Sequence, residues 1–245
     1  MITAACHLHS DWSYDGKWTL ADLAEEFGSR GYSLLMTTEH DRGFTEARRL
    51  EHRAACAAAS SAGVRIVSGL EYSDAENRVH ILVWGPVPFV GEGVPTRELL
   101  AAVKAAKGIA VMAHPTRLRA WEAYEPAWAD DLLGIEVWNR KTDGWAPSRT
   151  AIPLMYGTRL FPFVGTDFHD RRQRFPLSMA LDCPPGASEE AVLDCLRGGR
   201  CQAMAFGRPL GRSTGGWVGS ALRGAERCRR GLARAVRAGT SRRTG

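Results

Sequence analysis

Histidine and carboxylate residues gather in this chain where apolar runs begin or end. Residues 6–16 read CHLHSDWSYDG, with His7 and His9 two positions apart, so on an extended segment both project from one face. His40 follows Glu39 after the run SLLMTT, Glu71 lies in SGLEYS, His80 in VHILVWG and His114 in AVMAHP. Asp167 and His169, in FVGTDFHD, make a second pair two positions apart. Only His52 of the seven histidines falls in a helical pattern away from a strand. One histidine beside an apolar run is more often a hydrogen-bonded core residue than a ligand. Six of seven at strands or strand ends, mostly with carboxylates nearby, point instead to a metal site. Imidazole and carboxylate suit Zn²⁺, Mn²⁺ or Fe, and the donors exceed what one ion needs. The count favours two or three ions, with Glu71 the natural bridge between two of them.

The elements that position these residues alternate along the chain. Strands are expected over residues 2–9, 33–39, 64–70, 78–84, 109–113, 133–138 and 160–165. Helices are expected from about Leu20 behind a Thr19 cap, over 44–62 with Gly63 as a stop, over 97–107 behind Thr96, over 146–156, and over 189–197 behind Ser188. Strand and helix in alternation argue for a parallel sheet, and 245 residues suit a β/α barrel whose strand C-termini build the site.

The ordered set His7-Leu8-His9 with Asp15-Gly16, Thr38-Glu39-His40-Asp41, Gly69-Leu70-Glu71, Val79-His80, Ala113-His114-Pro115 and Gly165-Thr166-Asp167-Phe168-His169 resembles the PHP (polymerase and histidinol phosphatase) family across roughly residues 4–208. The resemblance implies an α/β fold, a distorted (β/α)7 TIM-like barrel, with two or three divalent metal ions (Mn, Zn or Fe). Carried over residue by residue, the implied ligands are His7, His9, Asp15, His40, Glu71, His80, His114, Asp167 and His169, and Asp15, His40 and His169 are the implied catalytic positions. Three departures stand out. Glu39 replaces the usual Asp before the second-strand histidine, Ala5 replaces an Asp or Asn, and Ser13-Tyr14-Asp15-Gly16 is one residue longer than Ser-Asp-Gly, leaving Asp11 as a rival to Asp15. Glu39 is expected to support a ligand rather than to be one.

The implied reaction is hydrolysis of a small phosphate ester, with a metal-bridging hydroxide attacking phosphorus. Arg117, Arg171, Arg172 and Arg174 follow His114 and His169 and are candidates to hold phosphate oxygens through their guanidinium forks; Asn139, Arg140 and Lys141, after IEVW, are further polar candidates. Two rivals use the same motif order. Hydrolysis of a carboxylic or carbamic ester or an amide would suit apolar loops, to which Trp12, Trp18, Trp121, Trp128 and Trp145 contribute. A nuclease would need a basic groove.

Charge argues against nucleic acid. Residues 211–245 hold nine arginines and the single acid Glu226, a net +8 that leaves residues 1–210 at −3. The division expected is a catalytic domain over 1–210 and a basic, flexible tail over 211–245 that offers an acidic partner a surface; Leu222, Ala225, Leu232 and Val236 make a weak apolar stripe in it. No run is apolar for the roughly 18 residues a membrane span needs, and the six cysteines lack C-x-x-C spacing, so reduced thiols and a cytoplasmic setting are expected.

Overall fold

The computed structural model describes residues 1–61, 63–155, 158–211 and 216–241. The chain enters as β1 (Ile2–Leu8), whose side chains are divided between two apolar clusters by period-two alternation as far as Cys6 and by a register shift at His7 that moves Leu8 to the opposite face from Cys6. Ala4 and Cys6 join Leu34 and Met36 on one face, while Ala5 and Leu8 meet Leu35 and Ile66 on the other. That second face is covered by α1 (Leu20–Gly28) and α2 (Glu46–Ala59), through Leu20, Leu23, Phe27 and Cys56.

Both helices start as their sequences imply. Thr19 caps α1 in a full capping box with Asp22, and Thr45 accepts the Arg48 N–H at the start of α2. The end of α2 differs from the expected stop at Gly63. Ser60 ends it, because its hydroxyl donates to the Cys56 carbonyl at 2.8 Å and accepts the Ile66 N–H at 2.9 Å, turning the chain into the next strand.

β2 (Leu34–Thr37) and β4 (Arg65–Val67) continue the sheet in parallel beside β1. On the other side of β1 lie β10 (Leu177–Leu181), β11 (Cys201–Ala205) and β12 (Arg208–Pro209), all antiparallel, with α6 (Glu189–Arg197) between β10 and β11. The second sheet runs β3 (Glu39–His40), β5 (Gly69–Ser73), β6 (His80–Trp84), β7 (Ile109–Met112), β8 (Gly134–Asn139) and β9 (Phe161–Gly165). α3 (Thr96–Ala105) precedes β7, with Thr96 inside the helix rather than capping it.

The expected distorted (β/α)7 barrel is therefore corrected to two six-stranded mixed sheets, with no closed sheet among the described residues. The cause is local. β5 and β6 pair antiparallel across the short 74–79 connection, which is too short for a crossover helix, and β7 pairs antiparallel with β6. The sheets share one apolar cluster, and backbone hydrogen bonds join them beside the histidines. Thr166 N–H donates to the Cys6 carbonyl, Phe168 N–H to that of His7, and His9 N–H to that of Phe168, at 3.3, 3.2 and 3.0 Å.

Between β8 and β9 lie two short helices, α4 (Arg140–Asp143) and α5 (Ala151–Met155). α5 is shorter than the expected 146–156, whose last residue lies outside the described residues. The stretch read as a flexible tail is helical over α7 (Gly216–Ser241). It is fastened to the body where Glu226, 6% exposed, accepts the Trp145 N–H at 3.0 Å and where Arg230, paired with Glu226 within the helix, donates to the Thr142 and Asp143 carbonyls at 3.3 and 3.0 Å. Of the apolar stripe, Leu222 packs against the core, Ala225 and Leu232 are exposed, and the Val236 side chain lies outside the described ones.

Candidate metal centre

Nine residues expected to act together do converge. Glu71, on the opposite face of β5 from the core residues Leu70 and Tyr72, is the hub. Its Oε1 lies 2.7 Å from His80 Nδ1, 2.9 Å from His114 Nε2 and 3.5 Å from His7 Nε2; its Oε2 lies 3.1 Å from His40 Nδ1 and 3.3 Å from His9 Nε2. Asp167 Oδ1 stands 3.6 Å from His9 Nε2 and 3.3 Å from His169 Nδ1. Asp15 completes the outer end, 3.4 Å from His40 Nε2 and 3.1 Å from His169 Nε2. Asp15 rather than Asp11 reaches the cluster.

The backbone bends to bring them there. His7, His114 and Asp167 all have positive φ, at 61°, 22° and 50°, conformations that non-glycine residues hold only when the surroundings dictate them. At His7 the register between β1 and β2 shifts, a bulge that turns the side chain inward.

Electrostatics follow from burial among opposite charges. Burial opposes charge on Glu71, but His7 and His80 hold its carboxyl well below the usual range. Burial likewise works against the His7 imidazolium, yet Glu136, Glu71 and Asp167 raise its pKa well above the ordinary value. Burial pushes His9 down to about 3, toward the neutral form a metal ligand needs.

Whether these residues suit a metal is decided at His7 and His9, both fully buried. Each ring has Nδ1 occupied, by Glu136 Oε1 at 2.9 Å and by Ser13 Oγ at 3.2 Å, and each leaves Nε2 without a hydrogen-bond partner. That is the arrangement of a metal-ligating imidazole, with one nitrogen steadied and the other aimed inward. Ligand atoms within 4.8 Å of one another form the groups His7–His9–Glu71, His7–His114–Asp167, Glu71–His80–His114 and His9–His40–His169. The donor set fits divalent metal ions.

Sequence reasoning missed Glu136. Its carboxylate meets His7, accepts the His114 N–H at 2.8 Å and accepts the Asn139 amide at 2.9 Å. A register shift between Glu136 and Trp138 lets Glu136 and Asn139 face the same side of β8. The available signal was a lone carboxylate inside the apolar run GIEVW. Glu39 fulfils its supporting role: buried, it accepts from both Ser10 and Ser13 hydroxyls at 2.6 Å, and Ser13 in turn contacts His9. Burial would raise its pKa, but His52 and Ser10 bring it down to about 2.

A cavity of about 680 Å³ opens over the cluster, lined by Asp15, His40, Glu71, His80, His114 and Asp167. Of the four arginines expected at its mouth, only Arg117 lines it, 3.1 Å from His80 Nε2. Arg174 is taken up by Glu26 at 2.7 Å, Arg171 lies over the Trp18 ring, and Arg172 does not line the cavity. Lys141 does line it, 3.1 Å from Asp167 Oδ1, whereas Asn139 is buried against Glu136 and Arg140 lies over Phe175. No tryptophan lines this cavity among the described residues.

No family model matches the sequence, and no curated protein matches it. Solved structures match the fold. A two-domain Bacteroides vulgatus protein containing a predicted PHP-like metal-dependent phosphoesterase superposes with a TM-score of 0.60 at 17% identity, covering 83% of this chain and 64% of that one. This chain thus spans under two thirds of that protein's length. PsfC from Pseudomonas syringae PB-5123 gives 0.55 at 16% identity over 84% and 91% of the two chains. A Bifidobacterium adolescentis protein named for metal-dependent phosphoesterase activity gives 0.50 at 20% identity over 80% and 94%. The chain shares the fold of these proteins. No described helix is long and apolar enough to cross a membrane.

Proposed function

We propose that this protein is a metal-dependent phosphoesterase acting on a small phosphate ester. The observation that carries the reading is the pair of buried, unpartnered Nε2 atoms of His7 and His9 facing the Glu71 hub. His7, His9, Asp15, His40, Glu71, His80, His114, Asp167 and His169 would hold two or three divalent ions, Mn, Zn or Fe. Such ions, when bound, acidify water and neutralise charge on phosphoryl oxygens.

The chain's own residues supply the rest. Arg117 and Lys141, cations that line the cavity beside His80 and Asp167, bind the ester's phosphoryl oxygens and orient phosphorus over the cluster. Asp15 holds both the His40 and His169 rings through their Nε2 atoms, and we assign these three the catalytic positions. Glu136 and Ser13 fix the His7 and His9 rings from behind. A cavity lined by histidines, carboxylates and cations favours a charged ester over a carboxylic ester or amide, and the acidic body disfavours nucleic acid. Six free cysteines suit the reducing cytoplasm.

The test is to measure bound metals and screen phosphate esters beside carboxyl esters, with and without Mn²⁺ or Zn²⁺. Phosphate release that disappears in the His7→Ala, His9→Ala double variant is the expected result. Carboxyl-ester turnover without phosphate release would overturn the reading.

A further inference from the structure

α7 meets the body of the protein with a charged face. Arg223, Arg227 and Arg230 are spaced i, i+4 and i+7, on one side of the helix, and they line a second cavity of about 450 Å³. Arg149, from the connection between α4 and α5, lines it from the opposite side. The two acids of this cavity are already engaged. Glu226 binds Arg229, Arg230 and the Trp145 N–H, while Asp143 accepts from the Asn139 N–H at 2.8 Å and the Thr116 hydroxyl at 2.7 Å. Among the described residues, Arg149 and Arg227 make no ion pair or side-chain hydrogen bond, and Arg223 has only the Ser220 hydroxyl at 3.3 Å. Three guanidinium groups therefore border one concavity without a carboxylate to neutralise them.

We propose that this cavity is a second anion site that takes a phosphate group. Guanidinium forks match phosphate oxygens in pairs, and the volume lies within the range of small-molecule sites. Hydroxyl donors complete it. Ser148 Oγ accepts the Thr150 and Ala151 N–H groups, at 3.2 and 3.0 Å, so its own proton is free to point outward, and the Thr142 side chain borders the same space. Thr142 also lines the cavity over the metal cluster, so α4 is the wall between the two. The occupant is either the second phosphate of a substrate, an assignment that rests on the phosphoesterase reading, or a free phosphate-bearing anion.

Calorimetric titration of the metal-free full chain with inorganic phosphate and pyrophosphate tests the site. The expected result is binding that weakens at least tenfold in both Arg149→Gln and Arg227→Gln but persists in Lys141→Gln, which removes a cation of the metal cavity. Arg149 lies outside α7, so its variant separates loss of the site from loss of the helix, and circular dichroism checks helicity in the other. No binding by wild type, an unchanged affinity in the two arginine variants, or loss only in Lys141→Gln would overturn the proposal. The two sources are then distinguished with the metal-loaded enzyme. A KM for hexanediol bisphosphate that rises about tenfold more than that for p-nitrophenyl phosphate in Arg227→Gln identifies a substrate phosphate, while an unchanged ratio with lost binding identifies a free anion. Either result sustains the site. Absence of turnover of both esters would sink the phosphoesterase reading and leave the calorimetric result standing.

Discussion

Glu136 gathers three donors on one buried carboxylate, so the His7 ring, the His114 backbone and the Asn139 amide all depend on it. Glu136→Gln keeps the shape but replaces one acceptor with a donor. We expect metal affinity or turnover to fall about 10- to 100-fold with folding retained, as measured by metal titration beside circular dichroism. Gly165 guards the same carboxylate, because a methyl group there would press into Glu136 Oε1 and the His7 Cβ. Gly165→Ala should lower stability by about 1–3 kcal/mol in denaturant unfolding, the usual cost of overpacking, and should displace Glu136 from His7. Of the nine clustered residues, the six histidines, Glu71 and Asp167 were legible because imidazoles and carboxylates recur at strands and strand ends, whereas Asp15, in the loop after β1, came from the family resemblance alone. Glu136 was harder to read, because its one signal is a lone carboxylate in the apolar run GIEVW, and its partners His7, His114 and Asn139 are brought to it by long-range pairing and by the β8 register shift.

At the scale of elements, legibility follows how local the determinants are. The Thr19 capping box and the Ser188 cap of α6 were read directly, since each lies within four residues of its helix. The β10–β12 strands were missed, because their pairing with β1 and with each other joins distant parts of the chain. Arg171, Arg172 and Arg174 were placed at the cavity by proximity to His169, but the Asp170 cap closes a tight 3-10 turn that leads the chain away to Glu26 and Trp18. α7 was read as a tail because glycines interrupt its weak apolar stripe, and what docks it besides Leu222 is a set of polar contacts, the Trp145 N–H to Glu226 and Arg230 to the Thr142 and Asp143 carbonyls. Burial opposes ionisation of Glu226, but Arg229 and Arg230 bring its pKa down from 4.5 to about 2. A carboxyl depressed on folding contributes stability that is complete above its unfolded pKa and fades as pH falls toward the folded value. Docking of α7 should therefore weaken between about pH 4.5 and 2, read as faster proteolysis after its arginines by an acid-tolerant, arginine-cleaving protease. Glu226→Gln should bring comparable proteolytic sensitivity at neutral pH, and a variant as resistant as wild type would show that Leu222 packing and the Arg230 bonds to the Thr142 and Asp143 carbonyls hold the helix without the Glu226 charge.

For the whole molecule, strand and helix alternation gave the α/β class correctly and closure incorrectly, because the antiparallel joins at β6 and at β10 depend on connection length and long-range pairing. The site was still predictable, since its residues sit at strand ends in either arrangement. Their distribution has a thermodynamic consequence. His7 belongs to one six-stranded sheet, while Glu71 and His80 belong to the other, and within the described backbone the sheets touch through few hydrogen bonds beside this cluster. Ions held by donors from both sheets would act as rivets between two halves that the peptide ladder leaves unsealed. A ligand that binds only the folded state at a free concentration a hundred times its Kd adds about 2.7 kcal/mol. Chelation should accordingly lower the unfolding midpoint by several degrees in differential scanning calorimetry and increase hydrogen exchange along β1 and β9. An unfolding midpoint indifferent to chelator would mean that the sheets hold together without the metals.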